Sequence, residues 1–155
     1  MPEADLVVLT DACLIGFGFW CPPLNFGYHA PTLPAHNQAS IFFHEAFAVA
    51  CAIHWACRLP DKHPRHLLVS SDSSNTIDTF NTLRAHGLYN EILKFAVDLL
   101  MQFDIDLRVL HITGEANSVA DCLLRGLLTQ AQTLWPALSV FPYQPPKALV
   151  EAVSP

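Results

Sequence analysis

The stretch DLVVLTDACLIGFGFW, Asp5–Trp20, opens as a β-branched and leucine run and continues with Gly16 and Gly18 alternating with Phe17 and Phe19. A segment apolar on both alternations suits a strand covered on both faces, so it predicts one long central strand. The next segment, CPPLNFGYHAPTLP, has four prolines and room for only one or two short strands, which places it at a sheet edge. Outward from there, a long helix is expected from about Ala39 to Arg58, stopped by Pro60. HLLVSSDSS, His66–Ser74, reads as a short strand ending in turn and cap residues, followed by a helix starting at Ser73 or Ser74 and breaking at His86–Gly87.

LYNEILKFAVDLLMQFD carries Leu88, Ile92, Leu93, Ala96, Val97, Leu100 and Phe103 at amphipathic helical spacing. IDLRVLHI alternates Ile105, Leu107 and Val109 with Asp106 and Arg108, the period of a half-buried strand. The turn TGEAN leads into a helix capped near Asn117, SVADCLLRGLLTQAQ. The end, LWPALSVFPYQPPKALVEAVSP, has five prolines and reads as a packed strap passing into a linker. Strands alternating with helices imply parallel neighbours in a layered α/β sheet, with functional groups near the strands' carboxyl ends.

The 155 residues, 52% hydrophobic, fit one domain with a core of its own. Five cysteines without a C-x-x-C pair suggest neither zinc nor disulfides and fit reduced thiols in an intracellular, cytoplasmic or nuclear, protein. The N-terminus lacks the features of a signal peptide, and no apolar run is long enough to span a membrane. A net charge of −6 has the wrong sign for nucleic-acid binding through the chain's own field, although CRLPDKHPRH, Cys57–His66, gathers three of the eight basic residues.

Four acids stand in comparable places: Asp11 where the first apolar run ends, Glu45 inside the first helix, Asp72 after a strand, and Asp121 in the opening turn of the last helix. Taken alone, Asp11 and Asp72 are ordinary turn or cap residues, and Asp121 suits the helix macrodipole. Glu45 resists that account. Its helical neighbours Ile41, Phe42, Ala48 and Val49 are apolar, and a buried carboxylate without a cation costs several kcal/mol. A metal ion would supply the charge, and hard oxygen ligands suggest Mg²⁺ or Mn²⁺. Two such ions, about 3.5–4 Å apart, are a recurrent device for phosphodiester cleavage.

LTDACLIGFG, FFHEAFAV, VSSDSSNT and HITGEANSVADCLLRG, in this order, resemble the ribonuclease H domain of retrotransposon reverse transcriptase polyproteins, DIRS-like and other long-terminal-repeat-type elements above all. The resemblance covers about Asp5–Gly126. It implies a ribonuclease H-like α/β fold, a central mixed five-stranded sheet flanked by helices over residues 1–128, with 129–155 as the proline-rich strap. By matching motif it implies that Asp11, Glu45, Asp72 and Asp121 are the catalytic, metal-binding carboxylates for two Mg²⁺ or Mn²⁺ ions, Asp11 bridging both. The implied reaction is hydrolysis of the RNA strand of an RNA–DNA hybrid, beside a covalently linked reverse transcriptase that would hold most of the hybrid. Asn75 and Asn117 are candidate substrate contacts, with helix capping as the competing explanation.

The sequence departs from the family pattern at Cys13, Ser73, Cys122 and Leu124, none of which removes a carboxylate. TGEAN is short for a loop bearing a mobile histidine, and His111 on the strand before it reads as structural or peripheral. A proofreading exonuclease would need an acid at position 13, and an integrase would place its Glu late in the chain. The competing non-enzymatic reading is a degenerate ribonuclease H-like module that binds protein.

Overall fold

The computed structural model describes residues 4–34, 40–60 and 63–154. Six strands form one mixed sheet: β1 (Leu6–Ala12), β2 (Gly16–Cys21), β3 (Phe26–Pro31), β4 (His66–Ser71), β5 (Asp106–His111) and β6 (Ser139–Pro142), in the order β5-β4-β1-β2-β3-β6. β4 runs parallel to both β1 and β5, and β6 parallel to β3, while β1–β2 and β2–β3 are antiparallel. The helices are α1 (Ile41–Cys57), α2 (Ser74–Thr82), α3 (Leu88–Gln102), α4 (Ser118–Leu124), α5 (Leu128–Leu134) and α6 (Lys147–Ala152). The expected mixed α/β sheet is present, with six strands in place of five. Ala39, the expected start of the first helix, and Asp61 and Lys62 of the basic loop lie outside the described residues, as do Met1–Glu3.

Several segments differ from the sequence reading. The single long strand expected from Asp5 to Trp20 is a hairpin, with Leu9 opposite Trp20 and Cys13 N–H donating to the Gly16 carbonyl at 2.8 Å. Its two central residues, Leu14 and Ile15, are exposed and neither is a Gly, Pro or Asn, so the centre of the turn is unmarked in composition. Thr32 fixes it from outside, its N–H donating to the Ile15 carbonyl and its hydroxyl to that of Leu14. Gly16 and Gly18 are there for close approach: a Cβ on Gly16 would lie 2.5 Å from the Leu124 carbonyl oxygen, and one on Gly18 2.8 Å from Leu123 Cβ. Helix α4 therefore rests directly on β2.

The single helix expected after TGEAN is two, α4 and α5, broken at Gly126, whose φ of 71° belongs to the left-handed region that glycine enters without strain. Helix α2 ends at Thr82 rather than near His86, with Leu83 itself left-handed at φ 58°. The proline-rich end after residue 128 supplies α5, β6 and α6. Its β6 pairs with β3, so the segment expected at a sheet edge has a neighbour on both sides.

The main core lies where α1 packs on the sheet, with α3 packed against α1. Phe17, Phe19, Phe43, Phe47, Val49 and Ile53 meet there, together with Leu149 and Val153 of the chain's end. Full burial of a side chain such as Leu149 contributes about 1.5–3 kcal/mol. A smaller cluster, Trp20, Val119, Leu123, Ala131 and Leu138, joins α4 and α5 to β2. All five cysteines are free thiols. Among the described residues no helix is long and apolar enough to cross a membrane.

Candidate metal centre

The parallel register of β1 and β4 sets Leu9 opposite Ser70, which carries Asp11 and Asp72 to the same end of the sheet. The Thr10 hydroxyl, donating to the Ser70 carbonyl at 3.0 Å, fastens the two strands just before those acids. After Asp72 the chain is held by Ser73, which caps α2 by accepting from Thr76 N–H at 3.3 Å. Glu45 reaches this end from α1. One carboxylate oxygen from each of Asp11, Glu45 and Asp72 lies within 4.8 Å of the others.

Among the described residues these charges are offset only in part: burial and mutual repulsion outweigh the Ala12 N–H and the charge of Arg125, both of which lower Asp11. Glu45 is 4% exposed and its Oε2 is buried without a hydrogen-bond partner. Burial first, then the neighbouring Asp72 and Asp11, push its pKa up to about 9. Burial, again the largest cause, and then Asp72 raise Asp11 to about 7, opposed by the Ala12 N–H that donates to Asp11 Oδ1 at 3.0 Å. Three hard oxygen donors with an orphaned carboxylate oxygen fit a divalent cation of the Mg²⁺ or Mn²⁺ class.

Asp121 lines the same cleft, of about 360 Å³, but does not belong to the group of three. It is half-exposed, and its Oδ1 accepts from Arg125 Nε at 3.1 Å, one helical turn further along α4. Asn117 does not cap α4 with its side chain. Instead Asn117 Nδ2 donates to the Thr10 carbonyl at 2.8 Å, and the residue is buried. Asn75 is exposed on α2 in a neighbouring hollow with Phe42, Arg84 and Tyr89. His111 closes β5, exposed and outside the cleft lining. Sequence reasoning missed Arg125, Ser73 and Cys13 as members of the cleft. Only Arg125 left a signal, its i+4 spacing from Asp121.

No protein-family model and no curated protein matches the chain. Solved structures do. LC11 RNase H1 in complex with an RNA/DNA hybrid superposes with a TM-score of 0.63 at 17% identity, over 82% of this chain and 99% of that one. RNase H1 from Halobacterium salinarum NRC-1 gives 0.62 at 14% identity, over 81% and 98%. A foamy viral protease-reverse transcriptase in complex with an RNA/DNA hybrid gives 0.57 at 15% identity, over 81% of this chain and 20% of that one. The architecture of this chain is that of the ribonuclease H fold.

Proposed function

We propose that the protein is a metal-dependent nuclease that hydrolyses the RNA strand of RNA–DNA hybrids. The observation that carries this reading is the convergence of Asp11, Glu45 and Asp72 within 4.8 Å, two of them buried, with Glu45 Oε2 unpartnered. In this reading these three, with Asp121 at the rim, hold two Mg²⁺ or Mn²⁺ ions. Such ions, when bound, activate water as nucleophile and neutralise charge at the leaving oxygen. The chain's own contribution is rigidity: β1 and β4 fix Asp11 and Asp72, α1 fixes Glu45, and the Asn117–Thr10 hydrogen bond fixes the start of α4. Asn117 thereby positions rather than touches substrate, whereas Asn75 is exposed for contact with it.

The test is cleavage of a labelled RNA–DNA hybrid in Mg²⁺ or Mn²⁺ beside Asp72→Asn. Metal-dependent cleavage lost in the variant supports the reading, and none from folded wild-type protein at high concentration overturns it. We further propose that the domain works beside a reverse transcriptase, as in a retroelement polyprotein. The motif resemblance and the likeness to the foamy viral enzyme support this, and added reverse transcriptase tightening hybrid binding would test it. One observation favours a second reading, a non-catalytic binding module: Asp121 is engaged by Arg125 rather than gathered with the other acids.

A further inference from the structure

We infer that Arg125 is an exchangeable cation of the cleft: it neutralises Asp121 while no divalent ion is held, and passes to a phosphate of the nucleic-acid substrate when ions take over that carboxylate. The inference rests on the metal-dependent nuclease reading and adds to it a positioning residue that couples ion and substrate binding.

Among the described residues Arg125 is the only Lys or Arg lining the cleft, in a chain with eight Lys and Arg in all. Its Nε is engaged by Asp121, which leaves both Nη groups unbonded among the described residues, on a side chain 56% exposed. A planar guanidinium held at one edge is suited to a phosphate by its remaining donors, and it stays charged at every working pH. Helix α4, which carries Asp121 and ends one residue before Arg125, is held in place. It is tied to β1 through Asn117 and Thr10, and its Leu123 and Leu124 sit against Gly18 and Gly16. Exchange is therefore a matter of side-chain rotation alone. An exposed ion pair is weak enough to be given up to a divalent ion or a phosphate.

The two halves of this role have opposite signs in one variant. In Arg125→Gln, Mn²⁺ titrated calorimetrically into the protein without nucleic acid should bind about two- to fivefold more tightly, because the competing cation is gone. An RNA–DNA hybrid should bind the same variant more weakly in Ca²⁺, followed by fluorescence anisotropy with intact RNA verified on a gel. The slope of log affinity against log salt should become shallower by about one. Arg125→Lys, which keeps the charge without the fork, should hold Mn²⁺ affinity near that of wild type and restore part of the hybrid binding. A merely structural residue would move both affinities downward or neither. Unchanged Mn²⁺ affinity, or unchanged hybrid affinity and salt slope, in Arg125→Gln overturns the inference while wild-type binding of ion and hybrid leaves the nuclease reading intact. Wild-type protein that binds neither overturns both.

Discussion

The side-chain amide of Asn117 donates to the carbonyl of Thr10 at 2.8 Å, tying the start of α4 to the strand residue immediately before Asp11. This buried bond joins the two elements that carry Asp11 and Asp121. Asn117→Ala leaves the Thr10 carbonyl without that donor and should cost about 1–3 kcal/mol of stability in denaturant unfolding. Hybrid cleavage should fall with it as α4 loosens. Unchanged unfolding would show that the bond holds nothing.

Without divalent ions, stability should depend on pH in a direction opposite to that of a salt-bridged acid. Folding raises Asp11 from 3.8 to about 7 and Glu45 from 4.5 to about 9, so the folded state binds protons more tightly than the unfolded chain. These two groups therefore weaken the fold progressively as pH climbs from about 4 to about 9. Melting temperatures in EDTA should decline over that window. Mg²⁺ should raise the melting temperature at pH 8 and scarcely affect it at pH 5, where protons compete for the same oxygens.

Glu45→Gln removes the titrating group and keeps the shape. In EDTA at pH 8 wild type must take up a proton on Glu45 to fold, its pKa rising from 4.5 to about 9, so the variant, which needs none, should be more stable by at least about 1–3 kcal/mol. It should also lose the thermal stabilisation that Mn²⁺ gives wild type. Thermal melts with and without Mn²⁺ check both effects, and a destabilised Gln variant would count against an unbalanced acid.

Asp72→Asn should fold as wild type does and lower hybrid cleavage by more than about a hundredfold. That loss corresponds to several kcal/mol of transition-state stabilisation. Single-turnover cleavage measures it, and a loss below tenfold would remove Asp72 from the reacting centre.

Gly16→Ala drives a methyl to 2.5 Å from the Leu124 carbonyl oxygen, so β2 and α4 must separate. A destabilisation of about 1–3 kcal/mol is expected, as for overpacking generally. Gly114→Ala, with nothing within 4 Å of the added carbon, serves as the control and should change stability little. Equal unfolding midpoints for the two variants would dissolve the close-contact argument.

How much of this was legible in the sequence follows from where each signal lives. Helix α1 was read from its largely apolar run and stops at Cys57, three residues before Pro60. β4 and α2 were read from an apolar segment followed by a serine cap, and Ser73 does cap. The β1–β2 turn was invisible because Cys13, Leu14 and Ile15 are apolar and it is fastened by Thr32, far from it in the chain. β6 was hidden among prolines, which parallel pairing at a sheet edge tolerates. Of the candidate site, Asp11, Glu45 and Asp72 were singled out by their positions, and their carboxylates lie within 4.8 Å of one another. The pairing of Asp121 with Arg125, and the true partner of Asn117, depend on how α4 docks, which local spacing does not encode.

The pairing of β6 with β3, and the seats of Leu149 and Val153 in the main core, join segments that lie far apart in the chain, the later of them completing the earlier. A chain still being translated has an open β3 edge and an unfilled hollow in its core until those residues leave the ribosome. Closure of such distant contacts is slow, and the intermediate exposes apolar surface while it waits. Packing around the acids is thus completed only after β6 and α6 have been made, and a ribosome stalled before β6 would carry an unfinished core.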